Sequence, residues 1–233
     1  MPKVGRKIRR YLSEMKIRSG KTTYGEFWQE KKDSGVTEFY DSLYEDRPLL
    51  HENFVNFVKS KDNIKSVLEV GCGSGIYPIK FKEMFTGMSY TGLDFSESSV
   101  EYCKKNSDFE FVAGDFIKMD LQDKYDLVFS HAVIDHVYDP DKYLENIVKA
   151  TKKYAYVSAY RGYFPDLKEH KMKWKNRIAC YHNSLSANQL KNVLTNCGLG
   201  NDEFTIREQE NGRHGFGKSK TETVIEINRK KVI

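Results

Sequence analysis

From Ser66 onward the chain alternates short apolar runs with amphipathic stretches, and this rhythm constrains its fold more than any other feature. SVLEV, SYTGLDF, FEFVAG, YDLVFSH and KKYAYVSAY read as strands, rich in apolar, β-branched or aromatic residues. Helices are expected between them over Ile76 to Phe85, over Glu97 to Lys105 behind a Ser96 cap, and up to Ala150 from a cap at Asp139 or Asp141. Repeated β-α-β units of this length place the strands parallel, joined by right-handed crossovers. A further helix runs from a Ser186 cap to Cys197 and ends at Gly198, and two strands near 203–209 and 221–228 flank the turn NGRHGFGKSK. Strands joined by such a turn pair antiparallel. The expected architecture is an open α/β sheet of five parallel strands with a terminal hairpin.

The segment before the sheet is helical in pattern. Phe39, Tyr40, Leu43 and Tyr44 make one apolar stripe, broken by Pro48, and Leu50, Phe54, Phe57 and Val58 make a second. Upstream, Val4, Ile8, Tyr11, Leu12 and Met15 form the stripe of an amphipathic helix set among Arg and Lys. Residues 1–21 hold eight basic side chains against Glu14, so the formal net charge of +5 belongs to this segment and the rest of the chain is slightly acidic. We expect residues 1–60 to be a helical extension or lid and 61–233 the main domain. Within that domain 161–185, aperiodic and carrying Gly162, Pro165, Trp174 and two histidines, reads as a long loop or partial helix covering a pocket.

At 39% hydrophobic residues the chain has enough apolar material for a core, yet no window approaches the roughly 20 unbroken apolar residues of a membrane span. The N-terminus MPKVGRKIRR lacks the apolar stretch of a secretory signal. Cys72, Cys103, Cys180 and Cys197 are scattered and form no CxxC pair, which argues for a reducing compartment and against a zinc cluster. A cytoplasmic protein is expected.

The first strand leads into three glycines, Gly71, Gly73 and Gly75. A dinucleotide loop needs G-x-G-x-x-G or A, and here Ile76 occupies the third position; no Gly-Lys-Ser/Thr follows either, which excludes a Walker-type phosphate loop. The acid before the loop, Glu69, repels a pyrophosphate and suits a ligand carrying positive charge. Glycine lets a ligand approach the backbone closely because no Cβ intervenes. Asp94, with Phe95 beside it, ends the second strand 25 residues after Glu69, near the spacing of an acid that reads ribose hydroxyls. Asp115 ends the third strand and is placed to accept from an exocyclic amine, with Phe116 beside it to face an adenine ring. All lie at carboxyl ends of parallel strands, where open α/β sheets bind ligands.

Together VLEVGCGSG, GLDFS, AGDF and HAVIDHVYDP resemble the class I methyltransferases that depend on S-adenosylmethionine. The resemblance covers Ser66 to Tyr160 and implies a Rossmann-like, doubly wound, seven-stranded and mostly parallel sheet ending in an antiparallel hairpin. It implies S-adenosylmethionine as cofactor and S-adenosylhomocysteine as product. It also implies that the loop Gly71 to Gly75, with Cys72, wraps the methionine part, while Glu69 helps place the loop and the positive amino-acid end. By the same resemblance Asp94 binds the ribose, Asp115 binds the adenine amine, and Ser130 and His131 contact or adjoin the methionine moiety. Asp135 stands where a Glu is common before His136 in such enzymes.

Methyl transfer from a sulfonium asks chiefly for alignment and water exclusion, with a base only where the acceptor must lose a proton. Base candidates are His182, preferred because it lies in the aperiodic insert, then His136 and Tyr160. Tyr24, Trp28, Tyr40, Arg161 and Tyr181 are candidate acceptor contacts, from the two aromatic-rich regions that form the lid in the resembling family. His131, Asp135 and His136 crowd one short turn without further ligands, so no metal is expected. The favoured reading is a methyltransferase acting on an oxygen or nitrogen of a small molecule such as a sugar, nucleotide-linked metabolite or natural product. An RNA or protein acceptor, drawn by the basic N-terminus, is the less favoured alternative, and a non-catalytic binding subunit is a third. Oligomeric state is not readable from this chain.

Overall fold

The computed structural model describes residues 24–29, 42, 45, 47–121, 125–213 and 219–230. The basic stripe from Val4 to Met15, the Phe39–Tyr44 stripe with Tyr40, and His214 lie outside the described residues.

The five β-α-β strands form where the apolar runs placed them: β1 (Ser66–Val70), β2 (Ser89–Asp94), β3 (Glu110–Ala113), β4 (Tyr125–His131) and β5 (Thr151–Ala159). After the insert come β8 (Phe204–Glu210) and β9 (Thr221–Asn228), and the seven strands order as β3-β2-β1-β4-β5-β9-β8. The first five pair parallel, while β9 runs antiparallel between β5 and β8. This is the seven-stranded sheet with a terminal hairpin that the resemblance implied.

Alternation along the strands explains the two packed layers. Val67, Leu127, Phe129 and Tyr156 face one side, where they meet Phe54, Phe57 and Val58 of helix α2 (Pro48–Lys59) and Val100 and Cys103 of α3 (Glu97–Asn106). Leu68, Val70, Val128, Ala155 and Val157 face the other, against α4 (Pro140–Ala150) and α5 (Ala187–Asn196). Each buried Phe or Leu side chain contributes roughly 1.5–3 kcal/mol by leaving water. Side-chain caps start three of these helices: Ser96 accepts from Ser99 N–H, Asp139 from Lys142 N–H and Ser186 from Gln189 N–H. A four-residue helix, α1 (Glu26–Gln29), precedes α2.

Two expectations are corrected. The helix from Ile76 to Phe85 is instead a π turn at Ile76–Lys80 and a 3₁₀ turn at Lys82–Phe85. Pro78 sits inside the segment, lacks an N–H and crowds the preceding turn, so a regular ladder cannot run through it. The insert is neither loop nor partial helix but a β-hairpin, β6 (Lys171–Lys175) with β7 (Cys180–Ser184), pairing Lys173 with His182 and Trp174 with Tyr181. Its Lys-Met-Lys-Trp-Lys alternation has a basic face in place of an apolar one, which hid the period. Buried Asn183 fastens it to the sheet, donating to the carbonyls of Ile134 (3.0 Å) and Val137 (2.8 Å). Among the described residues no helix is long and apolar enough to cross a membrane.

Candidate active site

Parallel registers set Glu69 opposite Gly92 and Asp94 opposite Ala113, so the carboxyl ends of β1, β2 and β3 finish together. A cavity of about 340 Å³ lies over that edge, within the range of small-molecule pockets. Its floor at one end is the glycine loop. Gly71 (φ +82°) donates to Leu93 O, and a Cβ there would stand 2.2 Å from Val133 Cγ2, so only glycine fits. The Gly73 N–H points to Asp94 Oδ2 (2.9 Å), and the other carboxylate oxygen takes the Ser96 N–H (2.9 Å). Asp94 is thus locked in one rotamer between loop and helix α3, with lone pairs left for a ligand. Burial raises its pKa, partly offset by the N–H donors of Ser96, Gly73 and Phe95.

The remaining acids at this end differ in environment. Asp115 accepts from Tyr138 Oη–H (2.9 Å) and the Ile117 N–H (3.2 Å), beside Lys118 Nζ at 3.3 Å. Glu69 is buried and accepts from Tyr90 Oη–H; burial pushes its pKa up to about 8, with that hydrogen bond pulling the other way. Ser74 Oγ and His131 Nε2 also belong to lining residues, and each is a buried polar atom without a hydrogen-bond partner among the described residues. Orphaned polar atoms beside a buried acid and a glycine cradle fit a ligand with a zwitterionic amino-acid tail better than an apolar one.

Glu69 makes a pH prediction. An acid whose folded pKa is raised from 4.5 to about 8 contributes stability that is full below about pH 4.5 and is lost as pH rises to about 8. Glu69→Gln keeps an acceptor for Tyr90 and has no proton to release. Its stability should therefore fall less steeply between pH 5 and 8, by up to about 1.4 kcal/mol per pH unit. Asp135 and Glu222, both pushed up to about 7, tilt both proteins equally. Denaturant melts across that range check this, and parallel curves would mean Glu69 stays ionised.

The other end of the cavity gathers residues from far along the chain. His136 Nδ1 lies 2.9 Å from the Tyr181 carbonyl, which can only accept, so Nδ1 carries the hydrogen and Nε2 a lone pair. Tyr160 Oη lies 3.1 Å from that Nε2 and donates to it. Burial lowers the His136 pKa to about 4, so the ring is neutral. His182 is the reverse case. Arg161 donates to His182 Nδ1 at 3.0 Å, which leaves the hydrogen on Nε2 and makes that atom a donor. Buried Asp135 holds the start of the turn after β5, accepting from the Tyr160 and Arg161 N–H groups at 3.0 and 3.2 Å.

Residues 24–29 close over both ends. Gly25 donates to Ala179 O (2.7 Å) in the hairpin, Tyr24 Oη to His136 O (3.2 Å), and Gln29 Nε2 to Phe95 O (2.9 Å). Glu69, Gly71, Cys72, Asp94, Phe95, Asp115, Phe116, His131, Tyr24, Trp28, His136, Tyr160 and His182 all line the cavity. Gly73 stands behind it, orienting Asp94. Ser130 does not line it: its hydroxyl is buried and pairs with Tyr143 Oη at 2.7 Å, because inward residues of β4 alternate. Arg161 and Tyr181 reach the site through His182 and His136. Arg47 and Arg213 also line the cavity, and sequence reasoning missed both. Neither sits in a motif; a lone arginine before a helix or in a glycine-rich turn carries no local signal.

Fold and cavity together define a class I methyltransferase architecture, and comparison with known proteins agrees. Residues 61–212 match the model of a methyltransferase domain family, and the chain belongs to that family. Among its relatives, malonyl-[acyl-carrier protein] O-methyltransferase 2 of Ilyobacter polytropus is 24% identical over 67% of this chain and 61% of its own length. Pavine N-methyltransferase of Thalictrum flavum is 29% identical over 36% of this chain and 25% of its own. The chain thus spans less than two thirds of these relatives. Among solved structures, magnesium protoporphyrin IX methyltransferase from Synechocystis, with bound S-adenosylhomocysteine, superimposes with a TM-score of 0.60 at 15% identity, over 88% of this chain and 98% of that one. The plantazolicin methyltransferase BpumL gives 0.60 at 16% identity, over 94% and 100%.

Proposed function

We propose that this chain is an S-adenosylmethionine-dependent methyltransferase acting on an oxygen or nitrogen of a small molecule. The observation that carries the reading is Asp94, locked by Gly73 and Ser96 at the cavity floor beside a loop that tolerates no Cβ. Bound S-adenosylmethionine would supply an electrophilic methyl group on a sulfonium. Asp94 would accept from the ribose hydroxyls and Asp115 from the adenine amine, with Phe116 and Phe95 against the ring. Glu69, Ser74 and His131 would meet the amino-acid tail, whose positive charge favours the ionised form of Glu69.

His136 is the better proton acceptor of the two histidines, since its Nε2 lone pair accepts from Tyr160 Oη–H, a hydroxyl that can relay a proton, while that of His182 is taken by the Arg161 guanidinium, which cannot. An acceptor hydroxyl or amine would release its proton toward the Tyr160–His136 pair as the methyl bond forms. His182 would donate through Nε2 and orient the acceptor. Residues 24–29 and the Lys171–Ser184 hairpin act as a lid that excludes water, strengthening every charge interaction inside.

Calorimetry with S-adenosylmethionine and S-adenosylhomocysteine, followed by turnover on a metabolite library, tests this. One cofactor per chain and S-adenosylhomocysteine release on a small acceptor are expected. No cofactor binding would sink the enzyme reading; turnover only on RNA or protein would overturn the acceptor class.

A further inference from the structure

The cavity is electrically polarised along its length. Among the described residues, the acids that line it, Glu69, Asp94 and Asp115, all belong to the donor end. At the other end the lining charges are the guanidiniums of Arg47 and Arg213, which flank the Tyr160 ring with Cζ atoms 5.3 and 5.2 Å from its centroid. Arg161 stands behind His182, whose pKa burial lowers, with the charges of Arg161 and Lys175 adding to the shift. Among the described residues, two acids face these cations, Asp135 and Glu222. Both are buried and neither lines the cavity. Asp135 spends its oxygens on the Tyr160 and Arg161 N–H groups, and Glu222 accepts from Gln209. Each guanidinium presents a planar fork of N–H donors, and that fork matches a carboxylate or phosphate. Arg47 is 5% exposed, so a field from it acts across a poorly screened space.

We propose that the methyl acceptor is a small organic acid, its carboxylate or phosphate held by Arg47 and Arg213 beside Tyr160. This deepens the methyltransferase reading and rests on it. The anion is the handle that positions the acceptor, and His182 Nε2–H is a further donor within the same end. Cationic amines, which the arginines repel, are rejected. An anionic acceptor would also complement the positive sulfonium that S-adenosylmethionine would bring to the cavity.

The test measures equilibrium binding to the S-adenosylhomocysteine complex, read by tryptophan fluorescence, for small carboxylates and phosphates each paired with its uncharged amide or ester. Anionic members should bind at least tenfold tighter than their neutral partners, and the preference should shrink as salt is raised. It should fall below threefold in Arg213→Gln and in Arg47→Gln, with S-adenosylhomocysteine affinity unchanged in each. Arg47 is buried, so Arg213→Gln serves if Arg47→Gln fails to fold. Whichever anion series shows the larger preference tells carboxylate from phosphate. An absence of anion preference, or a preference that survives both substitutions, overturns the proposal. Turnover of neutral acceptors in that case would leave the methyltransferase reading standing, whereas failure to bind S-adenosylhomocysteine at all would remove both.

Discussion

Replacing Asp94 by asparagine should weaken S-adenosylhomocysteine binding by about two to three orders of magnitude. The carboxylate already accepts from the Gly73 and Ser96 N–H groups, and the ribose hydroxyls would add two charge-assisted hydrogen bonds. Such bonds contribute roughly 1.5–3 kcal/mol each, and a tenfold change in affinity is about 1.4 kcal/mol. The asparagine amide must also turn its NH₂ toward one of the two backbone donors, so the loop loses an anchor and stability falls by roughly 1–3 kcal/mol. A 2′-deoxy analogue of S-adenosylhomocysteine separates the two effects. If Asp94 reads the ribose, the analogue loses affinity in the natural protein and little more in the variant. Additive losses would show that Asp94 acts only through the loop.

Replacing His136 by asparagine should lower kcat by about 10²- to 10⁴-fold on a hydroxyl or amine acceptor, the usual contribution of a positioned base. The asparagine amide can still donate to the Tyr181 carbonyl, so the hairpin stays fastened and the lone pair facing Tyr160 is what disappears. Donor affinity should be unaffected. His182→Gln should raise KM more than it lowers kcat. The pH profile carries a further mark. As a base His136 would work as the neutral ring, and burial lowers its pKa to about 4, so its activity should be retained above that value and lost only as pH falls through it. No histidine limb is expected between pH 6 and 8. A kcat loss below fivefold in His136→Asn would mean that the reacting atom has no proton to give up, as for an acid methylated on its own carboxylate.

Much of the donor end is legible in the sequence because parallel sheets translate linear position into place. An apolar strand ending at Val70, Asp94 or Ala113 must finish on the same edge as its neighbours once the crossovers are right-handed. Glu69, Asp94 and Asp115 could therefore be placed from spacing alone. Local chemistry also revealed the caps at Ser96 and Ser186 and narrowed the third to Asp139 or Asp141, of which the structure uses Asp139, since capping is settled within four residues. The π turn escaped the reading because the apolar period of Ile76 to Phe85 suggests a regular helix and only Pro78 argues against one.

The acceptor end is a different matter. The Lys171–Lys175 strand looked aperiodic, because its pairing with Cys180–Ser184 and its anchorage through Asn183 are long-range contacts. Histidine identity alone did not separate His136 from His182. Their roles turn on which nitrogen holds the proton, and that is decided by a carbonyl of Tyr181 and a guanidinium of Arg161. Arg47 and Arg213 meet across Tyr160 only when α2 and the terminal hairpin pack on the same edge of the sheet. By itself the sequence determined the sheet, its crossovers and the acids at the strand ends, because these follow from local periodicity and strand ends. Only the tertiary structure decided the charge and proton geometry of the acceptor end, because those depend on distant side chains whose fields and hydrogen bonds exist once the chain has closed around them.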